Sequence, residues 1–311
     1  MSLPPAPDGD SFSSIENLTG GSGNDSLTGD AGANSFTGGL GNDSIDGGDG
    51  TDTVSYAAAA AAVTVNLGAG TATGQGTDTL ISIENVTGSA FDDVLTGGDG
   101  VNVIKGGAGD DTIFRSGGAD VIDGGDGLDT LNYADATSGV IFDMVNGLAG
   151  YRLGYTYDYA TTDIDQVAGI ERVIGGGFND TMISSPGGAV FIGGGGNDDL
   201  VAGAGIDIFD GGDGRDAVLF RDSTEAVKVD LAAGTGLGGL AEGDQYVSVE
   251  IAFGSLADDE LAGTSGDDML VGWDGDDVIY GRDGDDILSG YRGVDIVDGG
   301  DGNDTLWSGD P

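Results

Sequence analysis

One apolar side chain recurs every nine residues through more than half of this chain. The stretch Gly38–Ser55 shows the unit twice, as GGLGNDSID and GGDGTDTVS, and its general form is Gly-Gly-x-Gly-x-Asp-x-U-x with U a large apolar residue. Four blocks carry it in unbroken phase, over 20–55, 88–132, 175–219 and 254–307. Across their 20 coils position eight is apolar every time, from Leu27, Phe36, Ile45 and Val54 in the first block to Leu288, Val297 and Leu306 in the last. One inward residue flanked by small or polar neighbours predicts a three-residue strand whose middle side chain enters the core. The Gly-rich remainder predicts a tight turn, since only Gly adopts positive φ without steric cost.

Three spacers separate the blocks, at 56–87, 133–174 and 220–253. Each opens on an aromatic residue, Tyr56, Tyr133 or Phe220, where the next coil would place its first Gly. Each then carries an alternating strand, at 63–67, 140–144 and 227–231, and a second strand, expected over 81–86, 167–173 and 246–251. The Ser-Ile-Glu-Asn-Leu run at 14–18 matches the end of a spacer. The organisation expected is therefore a loose tail at 1–11, then block plus spacer at 12–87, 88–174 and 175–253, and a last block at 254–311. The chain begins inside such a unit and ends in repeat-like residues, which reads as part of a longer protein. The first coil after each spacer has Phe91, Phe178 or Ala257 in place of the fourth-position Gly, and these are expected to pack on the preceding spacer strand.

Composition narrows the chemistry. Gly makes up 65 of the 311 residues and Pro only 5, with no Gly-x-y period, so the pattern is neither collagen nor low-complexity disorder. Nine basic residues face 55 acidic ones, a net charge of −46. Such a chain repels nucleic acid and anionic lipid, and repels itself when compact. With no Cys and no His, structural zinc, thiol nucleophiles and His-based acid–base chemistry are excluded. No Gly-x-Ser-x-Gly and no Gly-Lys-Ser/Thr loop is present, so no enzyme is expected. No apolar run approaches the ~18 residues of a membrane span, and the N-terminus lacks the basic and apolar regions of a signal peptide.

Asp far outnumbers Glu, and it recurs at position six of the coils, inside turns whose carbonyls Gly leaves bare. Hard oxygen donors in a flexible shell suit Ca2+ better than Mg2+, which demands octahedral geometry. If successive coils alternate between two sheets, turns two coils apart stack on one edge, and an ion would sit between the Asp of one turn and the Asp of the next turn on that edge. The full pairs are Asp25/Asp43, Asp93/Asp111, Asp111/Asp129, Asp180/Asp198, Asp198/Asp216, Asp259/Asp277, Asp268/Asp286, Asp277/Asp295 and Asp286/Asp304. Asn34/Asp52 and Asn102/Asp120 have one neutral member, and Ala189/Asp207 is the poorest. The candidate carbonyl donors are the first glycines of the coils, Gly20, Gly38, Gly47, Gly97, Gly106, Gly124, Gly193, Gly211, Gly272, Gly281 and Gly299. About 9 to 11 calcium ions are expected from these pairs. A second candidate surface lies in the long middle spacer, where Tyr151, Arg152, Tyr155, Tyr157 and Tyr159 could stack on a sugar or dock a protein. The alternative for these tyrosines is packing over an edge of the fold.

The coils GGLGNDSID, GGAGDDTIF, GGGGNDDLV and GGDGNDTLW resemble the nonapeptide of the RTX (repeats-in-toxin) family, also called the hemolysin-type calcium-binding repeat. The resemblance covers the four blocks. It implies an all-β, right-handed parallel β-roll that folds on Ca2+, and a secreted, extracellular bacterial protein exported unfolded by a type I secretion system. The C-terminal residues depart from the capping and secretion segment usual in that family. A polysaccharide- or cell-surface-binding module similar to the R-modules of alginate epimerases, or an adhesin or S-layer segment, is the alternative that the resemblance leaves open.

Overall fold

The computed structural model describes residues 15–152 and 159–307, with backbone alone at 152 and 159–162. It divides into two compact units. The first comprises Met1–Asn132 with Thr161–Ile170, and the second Tyr133–Ala160 with Glu171–Pro311. Among the described residues the only helical element is one 3-10 turn, Gly239–Ala241, and no helix is long and apolar enough to cross a membrane.

Each coil contributes a three-residue strand centred on position eight, sometimes running on into the glycines that follow. Ser35–Thr37, Ser44–Asp46 and Thr53–Ser55 are consecutive examples. Successive strands go to alternate sheets. In the first unit Leu27 is in register with Ile45 in one sheet, and Phe36 with Val54 in the other, all parallel. The same register, two coils apart, joins Leu95 to Ile113 and Ile113 to Leu131. In the second unit it joins Phe191 to Phe209 and Leu270 to Leu288. The position-eight side chains are fully buried from Phe36 through Leu288. At the outermost described turns, which are stacked on one side only, Leu27 and Val297 are half-buried and Leu306 is exposed. Phe209 is held between Phe191 and Tyr246, with ring centroids 5.8 and 6.1 Å away.

The spacers differ from expectation in two ways. First, each of the outer two contains a third strand. Thr64–Asn66, Thr71–Thr73 and Thr77–Ile81 form an antiparallel meander, entered from the Ser44–Asp46 strand through Thr77–Ile81 and left to Val94–Thr96 through Thr64–Asn66. Lys228–Asp230, Thr235–Leu237 and Gln245–Val247 repeat this between Ile208–Asp213 and Glu260–Ala262. The middle strands are short and rich in Thr and Gly, with no apolar alternation to reveal them. Second, the single strand expected over 81–86 and 246–251 is broken. Ser82 and Ser248 turn the chain at φ +50, and Asn85–Thr87 and Ile251–Phe253 join the other sheet. Ile83 and Val249 are buried at these corners. The third run breaks in the same way, at Gly169 with φ +59, between Tyr159–Ala168 and Arg172–Ile174.

Tyr56, Tyr133 and Phe220, which open the spacers, are buried. Phe91 and Phe178 keep 43% and 45% of their surface exposed. The core does not take these rings up, because the fourth position lies in the turn, outside the inward face of the strands.

Candidate metal centres along the turn edges

Stacking of alternate coils brings every predicted pair together through one repeated contact. The main-chain N–H of the position-six residue donates to Oδ1 of the Asp in the next turn on the same edge. The distance is 2.8 Å from Asp25 to Asp43, 2.7 Å from Asp93 to Asp111, and 2.8 Å from Asp111 to Asp129. It is 2.8 Å for Asp180/Asp198, Asp198/Asp216, Asp259/Asp277 and Asp268/Asp286. Asp277/Asp295 and Asp286/Asp304 are joined at 3.1 Å. Asn34/Asp52, Asn102/Asp120 and Ala189/Asp207 are joined in the same way, since the donor is backbone. The result is a ladder of carboxylates along each turn edge.

The second oxygen of each Asp faces its own turn. In several coils it accepts the N–H of the second residue, as in Gly21 to Asp25 at 2.6 Å and Gly176 to Asp180 at 2.8 Å. In others a hydroxyl takes part. Ser116 Oγ donates to Asp120 Oδ2, and Thr264 donates to Asp268 Oδ2 through both N–H and hydroxyl. Asp207, Asp93 and Asp259 receive the N–H of Gly203, Ser89 and Ser255 on Oδ2, while the Ser184, Ser89 and Ser255 hydroxyls go to Oδ1. Asp43, Asp52, Asp111, Asp198, Asp216, Asp277 and Asp286 are different. Their Oδ2 atoms are buried and have no hydrogen-bond partner, on residues at most 1% exposed. A buried carboxylate oxygen without a donor is costly unless a cation meets it.

Asp295 and Asp304 are less enclosed than the Asp277 and Asp286 with which they pair. Both are only half-buried, whereas Asp277 and Asp286, to which they are joined, are fully enclosed. They stand in the last described turns of the fourth block, and no described strand stacks beyond theirs. A methyl group on Gly290 or Gly299 would meet first the atoms of the coil's own Asp295 or Asp304, with no carbonyl of a further turn among them. The physical reason is position in the stack. Each accepts the N–H of the turn before it, and no described turn stacks behind it. Among the described residues Asp295 and Asp304 are therefore joined to a neighbouring acid, Asp277 or Asp286, on one side only.

The surroundings of the enclosed acids are shaped accordingly. A methyl group on Gly106 would collide with Asp111 Oδ2 and the Gly124 carbonyl oxygen, and one on Gly193 would collide with Asp198 Oδ2 and the Gly211 carbonyl oxygen. The same holds at Gly281 for Asp286 Oδ2 and Gly299 O, and at Gly20 for Asp25 Oδ2 and Gly38 O. The first Gly of a coil therefore opens a cradle into which its own Asp and the carbonyl of the next same-edge turn converge. Gly272 is set first against Asp277, and Gly97 against Asn102 Oδ1 and Ser116 Oγ. Among the described residues no three carboxylates come together. The donor set is mixed carboxylate and carbonyl oxygen, and it fits a hard cation such as Ca2+.

Burial pushes these carboxyl groups above their usual range. The Asp198 carboxyl rises to about 8, Asp111 to about 7, and Asp216 and Asp277 to about 6, with neighbouring carboxylates adding to the effect. Asp43, Asp52 and Asp286 move the same way, again chiefly through burial. In each case the backbone N–H donated from the preceding same-edge turn pulls in the opposite direction without cancelling it.

Several members of the ladder escaped the sequence reading. Asp43, Asp120 and Asp207 donate their N–H groups to Asp78, Asp165 and Asp244, all three in spacers and all buried. Glu84 and Glu250 accept in the same way from Asp52 and Asp216, at 2.8 and 3.0 Å. The signal was present, since Asp78-x-Leu80, Asp165-x-Val167, Asp244-x-Tyr246 and Glu84-x-Val86 keep the acid-x-apolar tail of the coil without its glycines. The fifth position forms a ladder too, running the other way. Asn24 and Asn42 accept N–H groups from later turns, and so do Asp92, Asp110, Asp258, Asp267, Asp276 and Asp285.

Of the tyrosine-rich surface, Tyr155 and Tyr157 lie outside the described residues. Tyr151 is half-buried on the Leu148–Arg152 strand, which pairs antiparallel with Val140–Asp143. Arg152 and Tyr159 are placed by backbone alone, in the strands Leu148–Arg152 and Tyr159–Ala168.

A sequence profile described as the RTX calcium-binding nonapeptide repeat matches residues 18–54, 87–121, 116–135, 192–220, 253–288 and 280–310, more than half of the chain. No curated protein matches the chain.

Proposed function

Because the chain belongs to the RTX calcium-binding nonapeptide repeat family, we propose that this calcium-binding repeat region is a folding module of a larger secreted bacterial protein. In this reading it leaves the cell unfolded by type I secretion and folds outside on Ca2+. The observation that carries it is the set of buried, unpartnered Oδ2 atoms, with Asp43, Asp111, Asp198 and Asp277 as members. At neutral pH these carboxylates repel others in neighbouring turns, and one apolar side chain per coil is little to set against the ordering of so much Gly. Cation binding then contributes directly to folding. Asp43, Asp52, Asp111, Asp198, Asp216, Asp277 and Asp286 would hold the ions, together with carbonyls such as Gly124 O, Gly211 O and Gly299 O. Calcium supplies the positive charge that the chain lacks at these points. The repeat family is a structural, calcium-binding one, and we assign no catalytic role to any residue. Circular dichroism with and without chelator tests the reading, and a sheet signal that survives excess chelator at about pH 7.5 would sink it.

A second reading, binding to a polysaccharide or cell surface, is favoured by one feature of the second unit. Val201 and Leu219, with Ile183, Ile251 and Phe253 beside them, form an apolar group at strand edges that are polar in the first block. Phe253 lies 6.4 Å from Trp273, which lies 5.2 Å from Tyr291, with Arg292 over the Tyr291 ring. Trp273 and Tyr291 hold φ +78 and +73 in the turn position where most coils place Gly. Strained large residues at an exposed position are characteristic of binding sites. A glycan array in millimolar Ca2+, comparing the natural chain with Trp273→Ala, tests this. Unchanged binding, or none by either protein, would remove the reading.

A further inference from the structure

We propose that two spacers each complete a calcium site of their own at the end of the block they follow. One is formed by Asp52 with the Ser82 carbonyl and the Glu84 carboxylate, the other by Asp216 with the Ser248 carbonyl and the Glu250 carboxylate. The proposal rests on the calcium reading above and extends it to residues outside the nonapeptide.

Asp52 and Asp216 stand last in their blocks, and neither has an Asp two coils on. Counting coils alone leaves each with a partner only behind it, Asn34 or Asp198. The spacers close this gap. Glu84 Oε2 accepts the Asp52 N–H at 2.8 Å across 32 residues, and Glu250 Oε2 accepts the Asp216 N–H at 3.0 Å across 34 residues. A carboxylate thus occupies the place that Oδ1 of the next Asp fills elsewhere. The carbonyl donor is replaced as well. A methyl group on Gly47 would collide with Asp52 Oδ2 and Ser82 O, and one on Gly211 would collide with Asp216 Oδ2 and Ser248 O. Within the blocks the same place belongs to the first Gly of the next turn. Each serine adopts φ +50 at the corner between sheets. That conformation is uncommon for a non-Gly residue, and here it accompanies a carbonyl set beside an acid.

The same spacers show what a turn without a cation looks like. On the other edge Asp78 receives the phenol of Tyr56 at 2.9 Å, and Asp244 that of Tyr246 at 3.3 Å. Both acids are buried, and both second oxygens have a donor. Asp52 and Asp216, 0% exposed, have no donor for Oδ2. One spacer therefore caps one ladder with a phenol and leaves the other open toward a bare carbonyl and a second carboxylate. Two copies, one in each unit, make the same arrangement from the same Asp-x-x-x-Ser-x-Glu run, at 78–84 and 244–250.

The test is the number of ions bound. Equilibrium dialysis in saturating Ca2+, read by atomic absorption, is compared for the natural chain, Glu84→Gln, Glu250→Gln and the double variant. Gln keeps an acceptor for the Asp N–H and removes the charge. The expected result is one ion fewer for each single variant and two fewer for the double. An unchanged count in variants that give the natural dichroism spectrum in Ca2+ would overturn the proposal. A natural chain that takes up no Ca2+ would overturn the calcium reading itself. Should the variants fail to fold, crystals of the natural chain grown in Ca2+ decide. Anomalous peaks about 2.3–2.6 Å from both Asp52 Oδ2 and Ser82 O, and from both Asp216 Oδ2 and Ser248 O, support it. Their absence at both places, with peaks elsewhere along the ladders, overturns it.

Discussion

The backbone N–H of Asp93 donates to Oδ1 of Asp111 at 2.7 Å, and the second oxygen of Asp111 is left buried with no donor. One oxygen of the carboxylate ties two turns together and the other is directed at a cradle made by Gly106. In the calcium reading proposed above, structure and ion binding are divided between the two oxygens of a single side chain.

Proton and calcium compete for that second oxygen. In the metal-free fold burial raises the carboxyls to about 7 at Asp111, about 8 at Asp198 and about 6 at Asp216 and Asp277, above the ~3.9 of an unfolded Asp. A folded pKa above the unfolded one gives stability that is present below the unfolded value and lost as pH rises through the folded one. Metal-free protein should accordingly lose structure between about pH 4 and 8. Over the upper part of that range the calcium needed for half-folding should rise with pH, because the protonated carboxyls that hold the metal-free fold are lost while the unfolded Asp residues are already ionised. Calcium titrations followed by circular dichroism at about pH 6, 7 and 8 check this, and a midpoint independent of pH would contradict it.

Gly106→Ala should abolish the Asp111 site. The added methyl meets Asp111 Oδ2 and Gly124 O, while at Gly100 it would meet nothing within 4 Å. Gly100→Ala is the control, with an expected stability change within about 0.5 kcal/mol of zero. Dialysis counts should fall for the first variant and hold for the second.

Phe209→Ala should cost about 3–5 kcal/mol in saturating Ca2+. The ring is fully buried and stacked between Phe191 and Tyr246. Urea unfolding of the natural and variant chains measures it, and a loss below about 1 kcal/mol would show that the core refills the space.

Tyr56→Phe removes the phenol that Asp78 accepts while leaving the ring in place. The second oxygen of the buried carboxylate then lacks a donor, and a loss of about 1–3 kcal/mol is expected. Burial and the Asp78 charge both raise the Tyr56 phenol far above its ordinary range, so the hydroxyl keeps its proton at any working pH. Urea unfolding in saturating Ca2+ again gives the number. A neutral outcome would mean that the freed oxygen of Asp78 finds another partner.

Lys228 and Glu260 meet at 2.7 Å on the surface. Lys228→Ala should nevertheless leave the urea midpoint where it is, because solvent screens an exposed pair. A clear drop in the midpoint would show that the pair acts as more than a surface contact.

The nonapeptide phase determined most of the fold by itself. An apolar residue at the eighth position of each coil, from Phe36 to Leu288, forces short inward-facing strands, and Gly in the turns forces alternate coils to stack, so the Asp93/Asp111 type of pair was legible without coordinates. Local pattern could not show where the chain leaves that phase. The turns at Ser82 and Ser248 go with the burial of Ile83 and Val249 at the corners, which depends on the strands packed around them. Nor could it separate Asp93, capped by Ser89, from Asp111, whose second oxygen has no donor, or either of them from Asp295 and Asp304, which no described turn encloses. All four are Asp at position six. Which of them needs a cation depends on every donor within reach of one oxygen atom, and only the packed turns fix that set.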